Sequence, residues 1–178
     1  MPISVKILII TCALILGGCA ATVERTSQSE SPIVVSKGSG KALIMVIQGS
    51  DVASKSGDWE KFREEWRSAM KEASAESGFG FFYQEANAES QLKNGTLVLV
   101  KVNDYRYVSQ FARLMGGVAI GNAFVDADVS FFDMPSKTPI GARTYKTSSS
   151  AGQGIFSAMT AKQIRGISDE IVREIAQK

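Results

Sequence analysis

The chain has 178 residues, 20 of them basic and 18 acidic, for a formal charge of +2. This near balance leaves no electrostatic footprint for nucleic acid, and the length suffices for one domain with a real core. There is no histidine, which removes the commonest general base and the commonest metal ligand together.

One cation, Lys6, precedes the apolar run Ile7 to Leu16. A short basic region, an apolar core of this length and small residues at its end describe a secretory signal. The run is shorter than the roughly 20 residues a bilayer span needs. Leu16-Gly17-Gly18-Cys19 then resembles the lipobox of bacterial lipoproteins. The resemblance implies cleavage before Cys19, diacylglycerol on its thiol and acylation of its amine. In a Gram-negative source, Ala20 in place of aspartate after the cysteine implies the outer membrane, on its periplasmic side. Each buried methylene contributes about 0.8 kcal/mol, so three acyl chains hold firmly where one holds only marginally. Removing the first 18 residues leaves 160. That mature chain keeps no free thiol, because Cys12 departs with the signal and Cys19 carries lipid.

Residues 19–40 are rich in Ser, Thr, Gly and Glu and read as a flexible tether with a root-mean-square span of about 25 Å. A brief extended piece is expected at Ile33-Val34-Val35. Gly38-Ser39-Gly40-Lys41 invites a phosphate-loop reading, but Val35 stands where the first glycine belongs and Ala42 where Ser or Thr belongs. Ala42 to Ile47 is a continuous apolar run, the pattern of a buried strand. Asp58 can cap a helix to Glu76, with Trp59, Phe62, Trp66, Ala69 or Met70, and Ala73 on its apolar face, and Gly78 ends it. Phe79 to Gln84 reads as a strand, Asn94-Gly95 as a turn, and Thr96 to Asn103 as a central strand.

Tyr105 to Gly117 carries apolar residues at helical spacing in too short a run to separate helix from packed loop. Ala123 to Met134 alternates strictly, with Asp126 and Asp128 on its exposed face. A turn at Pro135 to Pro139 and a partner strand, Ile140 to Thr147, complete a hairpin. After a Ser/Gly loop, a helix from Ser157 to Ala176 carries the stripe Ala161, Ile164, Ile167, Ile171 and Ile175. Gly166 inside it costs about 1 kcal/mol relative to Ala and marks a close approach to the sheet. These elements predict an α+β fold: a small mixed, largely antiparallel sheet with an N-terminal helix and a C-terminal helix packed on it. The expected division is a signal peptide at 1–18, a tether at 19–40 and a single domain at 41–178.

Arg113-Leu114-Met115-Gly116-Gly117 and Gly121 lead into the alternating strand ending at Phe132-Asp133, then the hairpin, the Ser/Gly loop and the final amphipathic helix. This arrangement resembles an uncharacterised family of bacterial lipoproteins known as domain of unknown function 4410. The resemblance implies a small α/β envelope domain with no established activity.

Three groups of residues could carry chemistry. Ser148-Ser149-Ser150 beside Lys146 could form a Ser-Lys pair, although Ser/Gly runs usually join elements. Asp126 and Asp128 could act as an acid-base pair or bind calcium, which takes roughly 6–8 oxygens and usually from a loop. Tyr105, Arg106, Tyr107, Phe111 and Arg113 form the best candidate interaction surface, because aromatics and Arg are enriched at interfaces. No catalytic residue, cofactor or metal site is predicted. The expected function is a lipid-anchored, non-catalytic interaction or assembly module of the envelope, with an envelope protein as partner. The rival is a periplasmic protein binding a small molecule, glycan or lipid between the final helix and the sheet.

Overall fold

The computed structural model describes residues 22–27, 31–39, 41–86, 88, 94–116, 121–134, 136–148 and 160–176. Residues 1–18, read above as a signal peptide, and Cys19, Ser149 and Ser150 lie outside them. The content is mixed α/β: a six-stranded mixed sheet, with long helices on one face and one of them C-terminal. The strands are β1 (Thr22–Ser27), β2 (Ala42–Gly49), β3 (Gly80–Gln84), β4 (Gly95–Arg106), β5 (Phe124–Met134) and β6 (Thr138–Ser148). The helices are α1 (Asp51–Ser54), α2 (Trp59–Glu76), α3 (Gln110–Gly116) and α4 (Thr160–Ala176). Strand order is β1-β6-β5-β4-β2-β3. β2 is parallel to β3 and β4, and the pairings β4–β5, β5–β6 and β1–β6 are antiparallel.

Position in the sheet explains the strand sequences. β2 lies between two parallel neighbours, so both of its faces are buried. Leu43, Met45 and Ile47 face the helices, and Ile44 and Val46 are buried on the opposite side. β5 instead alternates, with Val125, Ala127, Val129 and Phe131 in the core and Asp126, Asp128 and Ser130 half-buried opposite. Asn94-Gly95 does not turn a hairpin, because β3 and β4 flank β2 from either side. A Cβ on Gly95 would meet the Ala42 carbonyl at 2.9 Å, and its φ is +149°. Glycine is required there by the close start of β4 alongside β2.

α2 buries Trp59, Phe62, Trp66, Ala69, Met70 and Ala73, and α4 packs beside it on the same sheet face. Asp58 occupies the cap position of α2 without a side-chain capping bond. At the other end Gly78 adopts φ +72°. Its N–H donates to Ala75 O at 3.1 Å and the Phe79 N–H donates to Ser74 O at 2.8 Å. This double bond pattern satisfies the last carbonyls and stops the helix. In α4 the buried stripe is Thr160, Gln163, Ile164, Ile167, Ile171 and Ile175, while Ala161 is exposed, so the expected stripe is displaced at its first turn.

The stretch read as a tether is structured in part. Thr22–Ser27 pairs with β6 along its whole length, and Ile33 is a core residue packed against Gly141. The physical reason is that β6 would otherwise end the sheet as an unpaired edge. Val23 fits against Gly166 of α4, where an added Cβ would meet its Cγ2 at 3.0 Å.

Candidate functional site

β4 carries two of the predicted surface residues, Tyr105 and Arg106, to the end of the sheet, and its pleat separates them. Tyr105 turns inward and is 9% exposed. Its ring stacks on Phe62 at a centroid distance of 3.9 Å, with Trp59 at 6.1 Å. Burial pushes its phenol pKa up. Tyr105 is therefore a core residue, which corrects its place in the expected surface. Arg106 turns outward, with its guanidinium 5.8 Å from the Phe124 ring centroid. Tyr107 is half-buried, and its hydroxyl bonds Glu65 at 3.3 Å. Burial first, and then the Glu65 charge, raise its pKa. It lines a shallow depression with Lys61, Glu64, Glu65 and Ser68.

The ambiguous segment after β4 divides in two. Val108 is buried and pinned to the first turn of α4: its N–H donates to Thr160 Oγ1 at 2.8 Å, and the Thr160 N–H donates back to Val108 O at 3.3 Å. Ser109 Oγ then accepts from the Ala112 N–H at 3.1 Å and caps α3. On α3, Phe111, Leu114 and Met115 are 72%, 68% and 71% exposed. Their i, i+3, i+4 spacing places them on one face of the helix. The Arg113 side chain lies outside the described set.

The two aspartates do share a face, and they are fully engaged there. Asn103 Nδ2 donates to Asp126 at 3.2 Å and to Asp128 at 2.9 Å. Thr144 Oγ1 donates to Asp128 at 2.6 Å, and Lys146 Nζ lies 3.0 Å from Asp126. Burial pushes the Asp128 pKa up. The hydrogen bonds from Thr144 and Asn103, with the charges of Lys101 and Lys146, outweigh it and hold the carboxyl below its usual value. A carboxylate held ionised in this way is a poor general acid. The hydrogen bond to Asp126, and then the Asp126 charge, raise the pKa of the exposed Lys146. Among the described residues no group of three or more Cys, Asp or Glu is gathered as a metal site would require.

Sequence reasoning missed a buried ion cluster. Arg143 is 2% and Glu174 4% exposed, and they pair at 2.9 Å. Arg25 of β1 also bonds Glu174, and Arg143 donates to Ser31 O at 2.9 Å. The available signal was parity: Arg143 shares the inward side of β6 with Tyr145 and Thr147. The space between α4 and the sheet, where the rival reading places a ligand, is filled by Ile164, Ile167, Ile171 and Tyr145.

No family model matches the chain, and no curated protein matches it. Among solved structures it is similar to the PelC dodecamer from Paraburkholderia phytofirmans, at 15% identity and a TM-score of 0.49, over 84% of this chain and 95% of that one. It is also similar to a Xanthomonas campestris protein of the DUF330 family, at 11% identity and a TM-score of 0.41, over 85% of this chain and 90% of that one. A neuraminyllactose-binding hemagglutinin homologue from Helicobacter pylori shows 10% identity and a TM-score of 0.43, over 82% of this chain and 89% of that one.

Proposed function

We propose that this protein is a lipid-anchored interaction module of the cell envelope. Acyl chains on Cys19 hold it on the periplasmic side of the outer membrane, and it engages another envelope component through α3. The observation that carries this reading is the α3 face itself. Phe111, Leu114 and Met115 stand about 70% exposed on a single short helix, whereas most large apolar side chains elsewhere among the described residues are packed into one core and the exposed ones, Val34, Val52 and Phe82, stand singly. Adjacent exposed apolar residues of this size mark a contact surface, because water gains no hydrogen bond from them. The engaged state of Asp126, Asp128 and Lys146 supports a role without catalysis.

A photoreactive amino acid at Leu114, introduced in intact cells, tests the surface. An adduct at Leu114 and none at the far-end turn residue Ser136 is the expected result. Equal labelling at both sites, or none at Leu114, removes α3 from the function. Cys19→Ala tests the anchor separately, and the variant is expected to leave the membrane fraction.

A further inference from the structure

The sheet register fixes which end of the molecule α3 occupies. Thr22 pairs with Ser148, Ser148 with Phe124, and Phe124 with Arg106, so these four residues form one row across the sheet. With strands about 4.8 Å apart, the row is about 15 Å long. β1 begins at this row, because it runs antiparallel to β6 and its first residue, Thr22, is paired with the last residue of β6. α3 starts four residues after Arg106 and stands at the same end. α1 is on that side as well, since it follows Ser50, at the end of β2, and the Ser50 N–H donates to Val102 O at 2.8 Å, four residues before the end of β4.

The exposed apolar side chains gather at this end. Among the described residues six large ones are exposed, and four of them, Val52, Phe111, Leu114 and Met115, lie on α1 and α3. The other two lie away from it: Phe82 is paired with Ile44 near the start of β2, and Val34 follows Ile33, which packs on Gly141 near the start of β6.

We infer that this end of the domain is a lipid-contacting surface, with the Phe111, Leu114 and Met115 face of α3 and Val52 of α1 seated at the headgroup–acyl boundary of the membrane that holds Cys19. The inference rests on the acylated Cys19 and names the component that α3 engages. Thr22 is three residues after Cys19. Three residues reach at most about 10 Å, so the anchor holds this end close to the headgroups. An apolar face at i, i+3, i+4 is the geometry by which helices lie in the interface, about 5–10 Å deep. The same short connection raises the effective concentration of bilayer at that face far above that of any free partner.

The test uses the full lipidated chain in phospholipid vesicles, carrying a nitroxide at Met115→Cys or at Ser136→Cys. Ser136 lies in the β5–β6 turn, at the opposite end of the sheet. Cys19, once acylated, takes no label. The expected result is a Met115 nitroxide relaxed by oxygen dissolved in the bilayer and shielded from an aqueous nickel chelate, with the reverse at Ser136. An acylated chain whose Met115 label is as open to the chelate as Ser136 overturns this inference alone. So does a protein adduct, in place of a lipid adduct, from the photoreactive residue at Leu114. An N-terminal peptide without acyl mass overturns the anchor, and this inference with it.

Discussion

Arg143 carries its charge into the core on the inward face of β6, and Glu174 of α4 is what makes that tolerable. Removing one member of a buried pair strands the other charge in a poor solvent, which typically costs about 3–5 kcal/mol, whereas replacing both by apolar groups is often neutral or stabilising. Glu174→Ala is therefore expected to lower the free energy of unfolding in urea by about 3 kcal/mol or more. The double variant Arg143→Met with Glu174→Leu is expected to recover most of that loss, and a double variant as unstable as the single would show the pair to be irreplaceable. Asp128 makes a pH prediction on the opposite face. Its folded pKa lies below the unfolded value of about 3.9. Its contribution to stability is therefore present above about pH 4 and drains away as pH falls through the folded value. In urea titrations at a series of pH values, Asp128→Asn should be less stable than the natural chain at pH 7. The two midpoints should converge at the acid end, and parallel curves would contradict the assignment. The Tyr105 correction belongs to this scale too. Tyr105 is the last inward residue of a strand and Phe111 the first apolar residue of a helix face, so the close spacing of aromatics at 105, 107 and 111 hid a change of period from two to 3.6.

At the scale of elements, the legible parts were those with strong periodicity. The apolar run of β2, the strict alternation of β5 and the amphipathic stripes of α2 and α4 each announce an element because burial on one face repeats with the backbone. Strand order was not legible, since parallel pairing of β2 with both β3 and β4 depends on contacts that no local pattern encodes. β1 escaped for a related reason. Its sequence Thr-Val-Glu-Arg-Thr-Ser has one apolar residue, and its partner β6 lies more than a hundred residues away. Gly166 is the trace it leaves in α4. Alanine there would gain about 1 kcal/mol of helix propensity, but its Cβ would meet Val23 Cγ2 at 3.0 Å. Gly166→Ala is thus expected to loosen β1, read as faster hydrogen exchange over Thr22–Ser27. Adding Val23→Ala should relieve the contact, so that Gly166→Ala in that background becomes stabilising by about 1 kcal/mol. Additive effects of the two changes would mean that the strand and helix do not press on each other.

For the whole molecule, the proposed lipid anchor at Cys19 and the register of β1 together imply an orientation that neither supplies alone. A flexible segment of 22 residues between lipid and domain, as residues 19–40 first read, would let every surface of the domain face the bilayer in turn. With β1 paired from Thr22 onward, only Ala20 and Ala21 separate Cys19 from the strand, three Cα steps in all, and a lipid anchor at Cys19, as proposed, would hold the end bearing α3 near the membrane. Linker length then becomes a handle on contact, separate from fold. Inserting about twelve Gly/Ser residues between Ala20 and Ala21 lengthens the connection roughly fivefold, and effective concentration falls as the −3/2 power of length, or about tenfold. The urea midpoint should not move, because the insertion lies outside β1. The share of Met115 nitroxide shielded from the aqueous chelate should fall, while the Ser136 label stays aqueous in both proteins. If the midpoint drops, the insertion has disturbed β1 and a site nearer Cys19 must be used. If the midpoint holds and the shielding at Met115 also holds, the α3 face partitions into lipid unaided, and the short connection serves attachment alone. A loss of shielding at constant stability would show that the fold turns an otherwise weak apolar face into a membrane contact by placing it beside the anchor.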